Sequence, residues 1–342
     1  MGRLQNVKTF VRRLAKGARW GLGCLAVLFA TGYLLTWGDY SVAETVAQNP
    51  KLPHVTLNGV TFHAETFGRE DAPTVIVIHG GPGGDYRYLL SLKELADEYF
   101  VVFYDQRGTG LSPRVNPKDI TVEATLDDLD AIAEHYAPGE QVYLLGHSWG
   151  AMVATGYLAR RPEKVAKAVI AEPGAFTHED LDAFFRATAP RPSLELAFKV
   201  VRGFFETLHM NNPGPQARWD YFAVRASSSE SHGGYYCGGK RSGYSFPYWR
   251  WGVLAAQNLV RSGRDASGRF QGELLTDGLE NYTDKVLLIA SECNQLTGRT
   301  LQEKQLTFFP NADLAVIPNT GHEMFTEDPA ASIPVVRAYF AE

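Results

Sequence analysis

Six short runs of aliphatic and β-branched residues constrain this chain most. They are Thr74–His79 (TVIVIH), Phe100–Tyr104, 141–145 (QVYLL), 165–171 (VAKAVIA), 285–290 (KVLLIA) and 312–317 (ADLAVI). A strand buried on both faces reads as a continuous apolar run, not an alternation. Helical stretches separate the runs, at 87–97, 121–136, 149–160 and 297–308, with a last one at about 331–341. In 121–136, Val122, Leu126, Leu129 and Ile132 share one side. Strands alternating with helices predict an α/β fold: a mostly parallel sheet with helices on both faces. Ahead of it, 53–67 alternates apolar and polar around Asn58-Gly59, which predicts a hairpin on a two-residue turn.

The alternation stops near Phe176 and resumes after about Phe270. The interval holds helical pieces, many aromatic residues and a Ser/Gly loop at 226–243. Loops of that length usually carry function. The expected organisation is a tail and anchor over 1–40, an α/β core over 41–175, an inserted helical cap over 176–270, and the rest of the core over 271–342.

The N-terminus is a separate problem. Six bases and no acid fall in the first 19 residues, and residues 20–37 follow without a charge. Eighteen apolar residues are at the short edge of a membrane span. Trp20 and Trp37 bracket them as interfacial aromatics do. The basic flank predicts a cytoplasmic N-terminus and an exported α/β domain, anchored by an N-terminal transmembrane helix. The alternative is a secreted protein cut after Ala43, since Ser41-Val42-Ala43 fits small-x-small cleavage. The run is longer than a usual signal-peptide core, so the anchor is preferred.

Charge then separates by region. Residues 1–40 hold six of the 33 basic residues and one of the 38 acidic ones, so the remainder carries −10. An acidic exported part excludes a nucleic-acid footprint. Three cysteines, with no paired CxxC or Cys/His cluster, offer no zinc site and no disulfide scaffold. No metal or cofactor is expected.

Gly146-His147-Ser148-Trp149-Gly150 follows a strand and opens a helix. In that context G-x-S-x-G is a nucleophile elbow, and Ser148 is the candidate nucleophile. His79-Gly80-Gly81-Pro82-Gly83-Gly84 ends the first parallel strand. Such a loop can offer backbone N–H groups to an oxyanion, and the donors are assigned to Gly81 and Trp149. A serine needs a base within reach. His322, in Asn319-Thr320-Gly321-His322-Glu323, follows the last strand and suits the chain order. His79 and His147 are read as loop supports.

These pieces together carry a resemblance. HGGPGG (79–84), DQRGTGLS (105–112), GHSWG (146–150) and GHEMF (321–325) resemble the α/β-hydrolase fold in its proline iminopeptidase branch. The likeness covers about 55–175 and 280–342. It implies a serine hydrolase that works through an acyl-enzyme on small peptides, with Asp105 and Arg107 as a loop-fixing pair. An esterase or amidase on a non-peptide substrate is the alternative, and a non-catalytic membrane-anchored binding protein is the reading of another class. A serine nucleophile excludes the haloalkane dehalogenase and epoxide hydrolase chemistries.

The acid departs from the family pattern. Asn294 falls where the family's Asp is expected after the seventh strand. An imidazolium wants a carboxylate to hold its tautomer and offset its charge. Glu172, at the end of the strand after the nucleophile helix, is preferred. Glu292 and Asn294 stay open as alternatives. Cys237 and Cys293 fall on the Ser/Gly loop and the acid loop, where a bridge would pin one over the other; two free thiols are the alternative. An aminopeptidase also needs carboxylates for a substrate ammonium, for which Glu206, Asp220 and Glu230 are candidates.

Overall fold

The computed structural model describes every residue except 1, 212–213, 227–229, 240–247, 262 and 273, with side chains from residue 16 onward apart from 215, 230–232 and 261. The chain opens with α1 (Gly2–Leu35) and the hairpin β1 (His54–Leu57) and β2 (Val60–Phe67). There follow β3 (Thr74–Ile78), β4 (Phe100–Tyr104), α2 (Val122–Tyr136), β5 (Val142–His147), α3 (Trp149–Arg160) and β6 (Val165–Ala171). Then come α4 (His178–Ala187), α5 (Leu194–Thr207), α6 (Pro215–Arg225) and α7 (Val253–Arg261). The end is β7 (Val286–Ser291), α8 (Arg299–Gln305), β8 (Ala312–Ile317), α9 (Met324–Glu327) and α10 (Pro329–Ala341).

The eight strands form one sheet in the order β1-β2-β4-β3-β5-β6-β7-β8. β1 with β2 and β2 with β4 are antiparallel; the pairs from β4 through β8 are parallel. The hairpin turns on Asn58 (φ 50°) and Gly59 (φ 79°), the two positive φ values that a primed two-residue turn needs. The period of two sends alternate side chains to opposite faces. Ile76, Ile78, Val102 and Leu144 pack with Leu129 and Ile132 of α2 and Leu158 of α3. Val75, Val77, Val101 and Phe103 pack on the other face with Leu89, Leu92 and, from α10, Ile333 and Val336. At ~1.5–3 kcal/mol for each such side chain removed from water, these two layers dominate the stability of the fold.

The expected helix at 87–97 is instead a 3-10 segment, Tyr86–Asp97. Its buried Tyr86, Leu89, Leu92 and Leu95 recur every third residue, so a three-residue turn keeps all four on the core side. The last helix starts earlier than expected, at Pro329, because Pro suits the first helical position and Asp328 caps it by accepting from the Ala331 N–H.

Contacts divide the chain into two units. One comprises Val42–Arg191 and Ser227–Glu342 and holds the sheet; the other comprises Met1–Ser41 and Pro192–Ala226 and holds α1, α5 and α6. Lys16–Leu35 of α1 is long and apolar enough to cross a bilayer by length and composition, and none of it is buried.

Candidate active site

The turn from β5 into α3 is forced by close approach. Ser148 has φ 56° and ψ −121°, a conformation that L-residues rarely adopt. Its N–H is held by the Ala171 carbonyl at 2.9 Å. A Cβ on Gly150 would lie 2.0 Å from the Ile78 oxygen, and one on Gly146 would lie 2.4 Å from the Gly150 oxygen. Only glycine permits this path, which leaves Ser148 half-buried at the amino end of α3, where the helix dipole is positive.

The HGGPGG loop lies directly against that serine. A Cβ on Gly80 would come within 2.7 Å of the Ser148 Cβ. Gly81 has φ 135° and is crowded by the Gly83 and Gly84 nitrogens. Its neighbour His79 is buried and accepts from the Gln106 N–H at Nε2 (3.0 Å), so its Nδ1–H donates to the Gly80 carbonyl. Burial lowers the His79 pKa and keeps the ring neutral, as this pattern requires. Gln106 also donates to the His79 carbonyl and accepts from the Trp149 indole N–H at 3.0 Å. The loops carrying Gly81 and Trp149 are thus held to one frame.

His322 and Glu172 meet. His322 Nδ1 is 2.6 Å from Glu172 Oε2, and Glu172 is fully buried. Glu172 sits at φ 42° between β6 and Pro173, with its N–H on the Ile289 carbonyl. Its Oε1 accepts from the Ser291 N–H (2.6 Å) and hydroxyl, and its Oε2 also accepts from Asn294 Nδ2 (2.6 Å). Burial nevertheless outweighs these donors and raises its pKa to about 7. Asn294 therefore supports the carboxylate. Its own Oδ1 is taken by the Leu296 and Thr297 N–H groups. Glu292 is exposed and accepts from the Asn319 N–H, away from the ring.

Two supports were not legible in the sequence. The first is a chain that ends on the His322 backbone. His147 Nε2 lies 2.7 Å from the His322 carbonyl and must donate to it. Its Nδ1 then accepts from the Tyr88 hydroxyl at 2.7 Å, and that hydroxyl accepts from the Gly80 N–H at 2.8 Å. Burial first, and then the charge of His322, lower the His147 pKa to about 3, so the ring stays neutral and its tautomer is fixed. The second is Tyr235. Its ring stacks on His322 at 4.3 Å and 22°, and its carbonyl accepts the His322 N–H at 2.8 Å. Tyr235 belongs to the loop that a Cys237–Cys293 disulfide joins to the segment bearing Asn294 (Cα–Cα 4.9 Å). A cavity of about 440 Å³ beside the bridge is lined by Gly234, Gly238, Glu292 and Gln295 among others, and not by Ser148 or His322. It is not taken as the reaction pocket.

His147, Glu172 and His322 lie close enough to suggest a metal cluster. Their facing atoms already bond to one another or to Tyr88, Ser291 and Asn294, so they form a hydrogen-bonded chain.

Other expectations need correction. Asp105 and Arg107 do not pair with each other. Asp105 binds His63 Nδ1 (2.8 Å) and the Tyr86 and Leu111 N–H groups, whereas Arg107 forms a two-point pair with Asp128 at 2.6 and 2.8 Å. Each fixes its own loop. Glu206 is not an open carboxylate, because Arg202, Arg225 and the Tyr221 hydroxyl occupy its oxygens. Asp220 is buried in α6, in the same unit as Glu206. The Glu230 side chain lies outside the described residues.

A mostly parallel sheet, a strained serine between strand and helix, and a histidine after the last strand define the α/β-hydrolase class. The family model of the alpha/beta hydrolase fold matches residues 73–329, and the chain belongs to that family. It is 30% identical over 161 residues to a proline iminopeptidase of Pestalotiopsis fici, covering 45% of this chain and 57% of that protein. It is 31% identical over 149 residues to a cis-3-alkyl-4-alkyloxetan-2-one decarboxylase of Shewanella oneidensis, covering 43% and 46%. The chain spans about half the length of the curated relatives it matches. The crystal structure of proline iminopeptidase from Mycobacterium smegmatis superposes with a TM-score of 0.57 at 21% identity, over 84% of this chain and 97% of that one.

Proposed function

We propose that the protein is a serine hydrolase with Ser148 as nucleophile, His322 as general base and Glu172 as the acid. The observations that carry this reading are the buried 2.6 Å contact between His322 Nδ1 and Glu172 Oε2 and a serine in an elbow conformation. Nδ1–H bound to the carboxylate leaves Nε2 unprotonated, the form that can take the serine proton. Ser148 Oγ attacks the substrate carbonyl, and the proton passes to His322 Nε2. The oxyanion is met by the Gly81 and Trp149 N–H groups. Collapse expels the amine or alcohol with that proton, and water then hydrolyses the acyl-enzyme by the reverse relay.

The relatives favour aminopeptidase-type cleavage after an N-terminal Pro or similar small residue. A second reading, an esterase or amidase on a non-peptide substrate, has its own support. Glu206 is occupied by Arg202, Arg225 and the Tyr221 hydroxyl and so does not supply an ammonium site, and one relative is named for an oxetan-2-one. We place α1 as an uncleaved anchor with the hydrolase unit exported. A fluorophosphonate probe on the full chain and on Ser148→Ala tests the chemistry. Ser148-dependent labelling is expected; no labelling of the parent removes the reading in favour of a binding protein. Proline anilide against short acyl esters separates the two substrate classes.

A further inference from the structure

The unit made by α1, α5 and α6 has one helix whose apolar stripe is exposed. On α5, Glu195, Lys199, Arg202 and Glu206 fall within a narrow arc at ~100° per residue. Glu206 on that arc is buried and turned to α6, where Arg225 and Tyr221 bind it. Gly203 lets α6 come close, its Cβ position lying 3.1 Å from the Arg225 Cβ. The adjoining arc, Leu194, Phe198, Val201 and Phe204, is exposed by 91, 63, 55 and 47%. A helix of a soluble protein turns its apolar stripe inward. This one buries Glu206 while its apolar stripe stays out, a contiguous patch of the kind that marks an interaction site.

What covers the patch follows from the neighbouring helix. α1 packs on the carboxyl end of α5: Phe29 meets Phe205 at 5.2 Å, Gly32 lies against the same ring, and His209 meets Tyr33 at 4.1 Å with the rings tilted by 42° and donates from Nε2 to its carbonyl. Asn211 extends the contact to the Tyr40 carbonyl and Asp39. Lys16–Leu35 would span ~30 Å at ~1.5 Å per residue, about one hydrocarbon thickness. Phe29 stands six residues before Leu35, so α5 contacts α1 within ~9 Å of its outer end. Interfacial helices lie ~5–10 Å into the headgroup and acyl boundary. Trp37 (72% exposed) and Trp219 (58% exposed) belong to the same unit, and indoles prefer that level.

We infer that the Leu194–Phe198–Val201–Phe204 face of α5 is seated in the lipid interface beside α1, so that α1, α5 and α6 form one membrane-bound unit. This rests on the reading of α1 as an anchor. It also requires α1 to stay attached, because cleavage near Ala43 would strip α5 of its packing partner.

The test uses the full chain in the Cys24→Ser background, reconstituted in vesicles of phosphatidylethanolamine and phosphatidylglycerol. An environment-sensitive fluorophore is placed by Phe198→Cys, Val201→Cys, Leu28→Cys or, on the charged arc, Glu195→Cys. Blue-shifted emission at 198 and 201 that doxyl-labelled lipids quench, with position 195 unquenched, is the expected result. If position 28 is quenched while 198 and 201 emit as in water, the inference fails and the anchor stands. If 28 is also unquenched, the anchor reading fails with it. Blue-shifted but unquenched emission at 198 and 201 means that protein, such as a second copy, covers the face, and overturns the lipid assignment.

Discussion

Replacing Glu172 with Gln separates the two carboxylate oxygens by what each can accept. The parent carboxylate meets only donors: Ser291 N–H and hydroxyl at Oε1, Asn294 Nδ2 and His322 Nδ1–H at Oε2. An amide satisfies one side only. With its oxygen toward Ser291, its NH2 faces His322 and Asn294, and the ring must present a bare Nδ1 and carry its proton on Nε2. That tautomer cannot accept the serine proton. With the amide reversed, NH2 opposes the Ser291 N–H and leaves buried donors unpaired, at ~1–3 kcal/mol. The lost offset of imidazolium charge adds to the wrong tautomer. The equivalent carboxylate-to-amide change in a serine protease lowers kcat by ~10⁴. A fall of ~10³–10⁴ in kcat, or ~4–5.5 kcal/mol, is expected here. Turnover of a small acyl ester is the assay, with thermal unfolding as the control for fold. A folded Glu172→Gln enzyme within about tenfold of the parent refutes the assignment. Glu292→Gln is the matched control and should turn over as the parent does.

The same carboxyl sets a pH dependence. Burial raises the Glu172 pKa to about 7, and the working form is the carboxylate, so kcat/KM should fall as pH drops through about 7; an acid limb unmoved in Glu172→Gln contradicts this. His147 is depressed to about 3, so the neutral ring stabilises the fold fully above its unfolded pKa of ~6.5, and that stability drains as pH falls toward 3. Melting curves of His147→Gln should show a weaker loss over that window. Reducing the Cys237–Cys293 bridge should lower kcat severalfold by freeing Tyr235 from His322, and unchanged turnover with both thiols mapped as free defeats the idea. Arg107→Ala should destabilise by ~3 kcal/mol in denaturant titration, since it strands the buried Asp128.

Local signals made the sheet legible, and long-range ones hid the rest. Continuous apolar strands, Asn58-Gly59 and the elbow glycines are each decided within a few residues, and each lies where the sequence predicts. Glu172 could be singled out because a family Asp is replaced at 294 and a carboxylate must come from somewhere. Tyr88 and Tyr235 gave no such signal: they reach the site from 60 residues before Ser148 and 87 before His322, through contacts that only the folded sheet creates. The exchange at 294 then has a physical sense. With a carboxylate already at 172, an Asp at 294 would set two anions on one buried oxygen's distance and push one of them neutral. Asn turns that neighbour into a donor, 2.6 Å from Glu172 Oε2. The prediction is directional: Asn294→Asp in the parent should raise the acid limb of kcat/KM above about 7, while Asn294→Asp combined with Glu172→Gln should recover part of the lost turnover. If the double variant is no better than Glu172→Gln alone, position 294 is structural and cannot take over the charge.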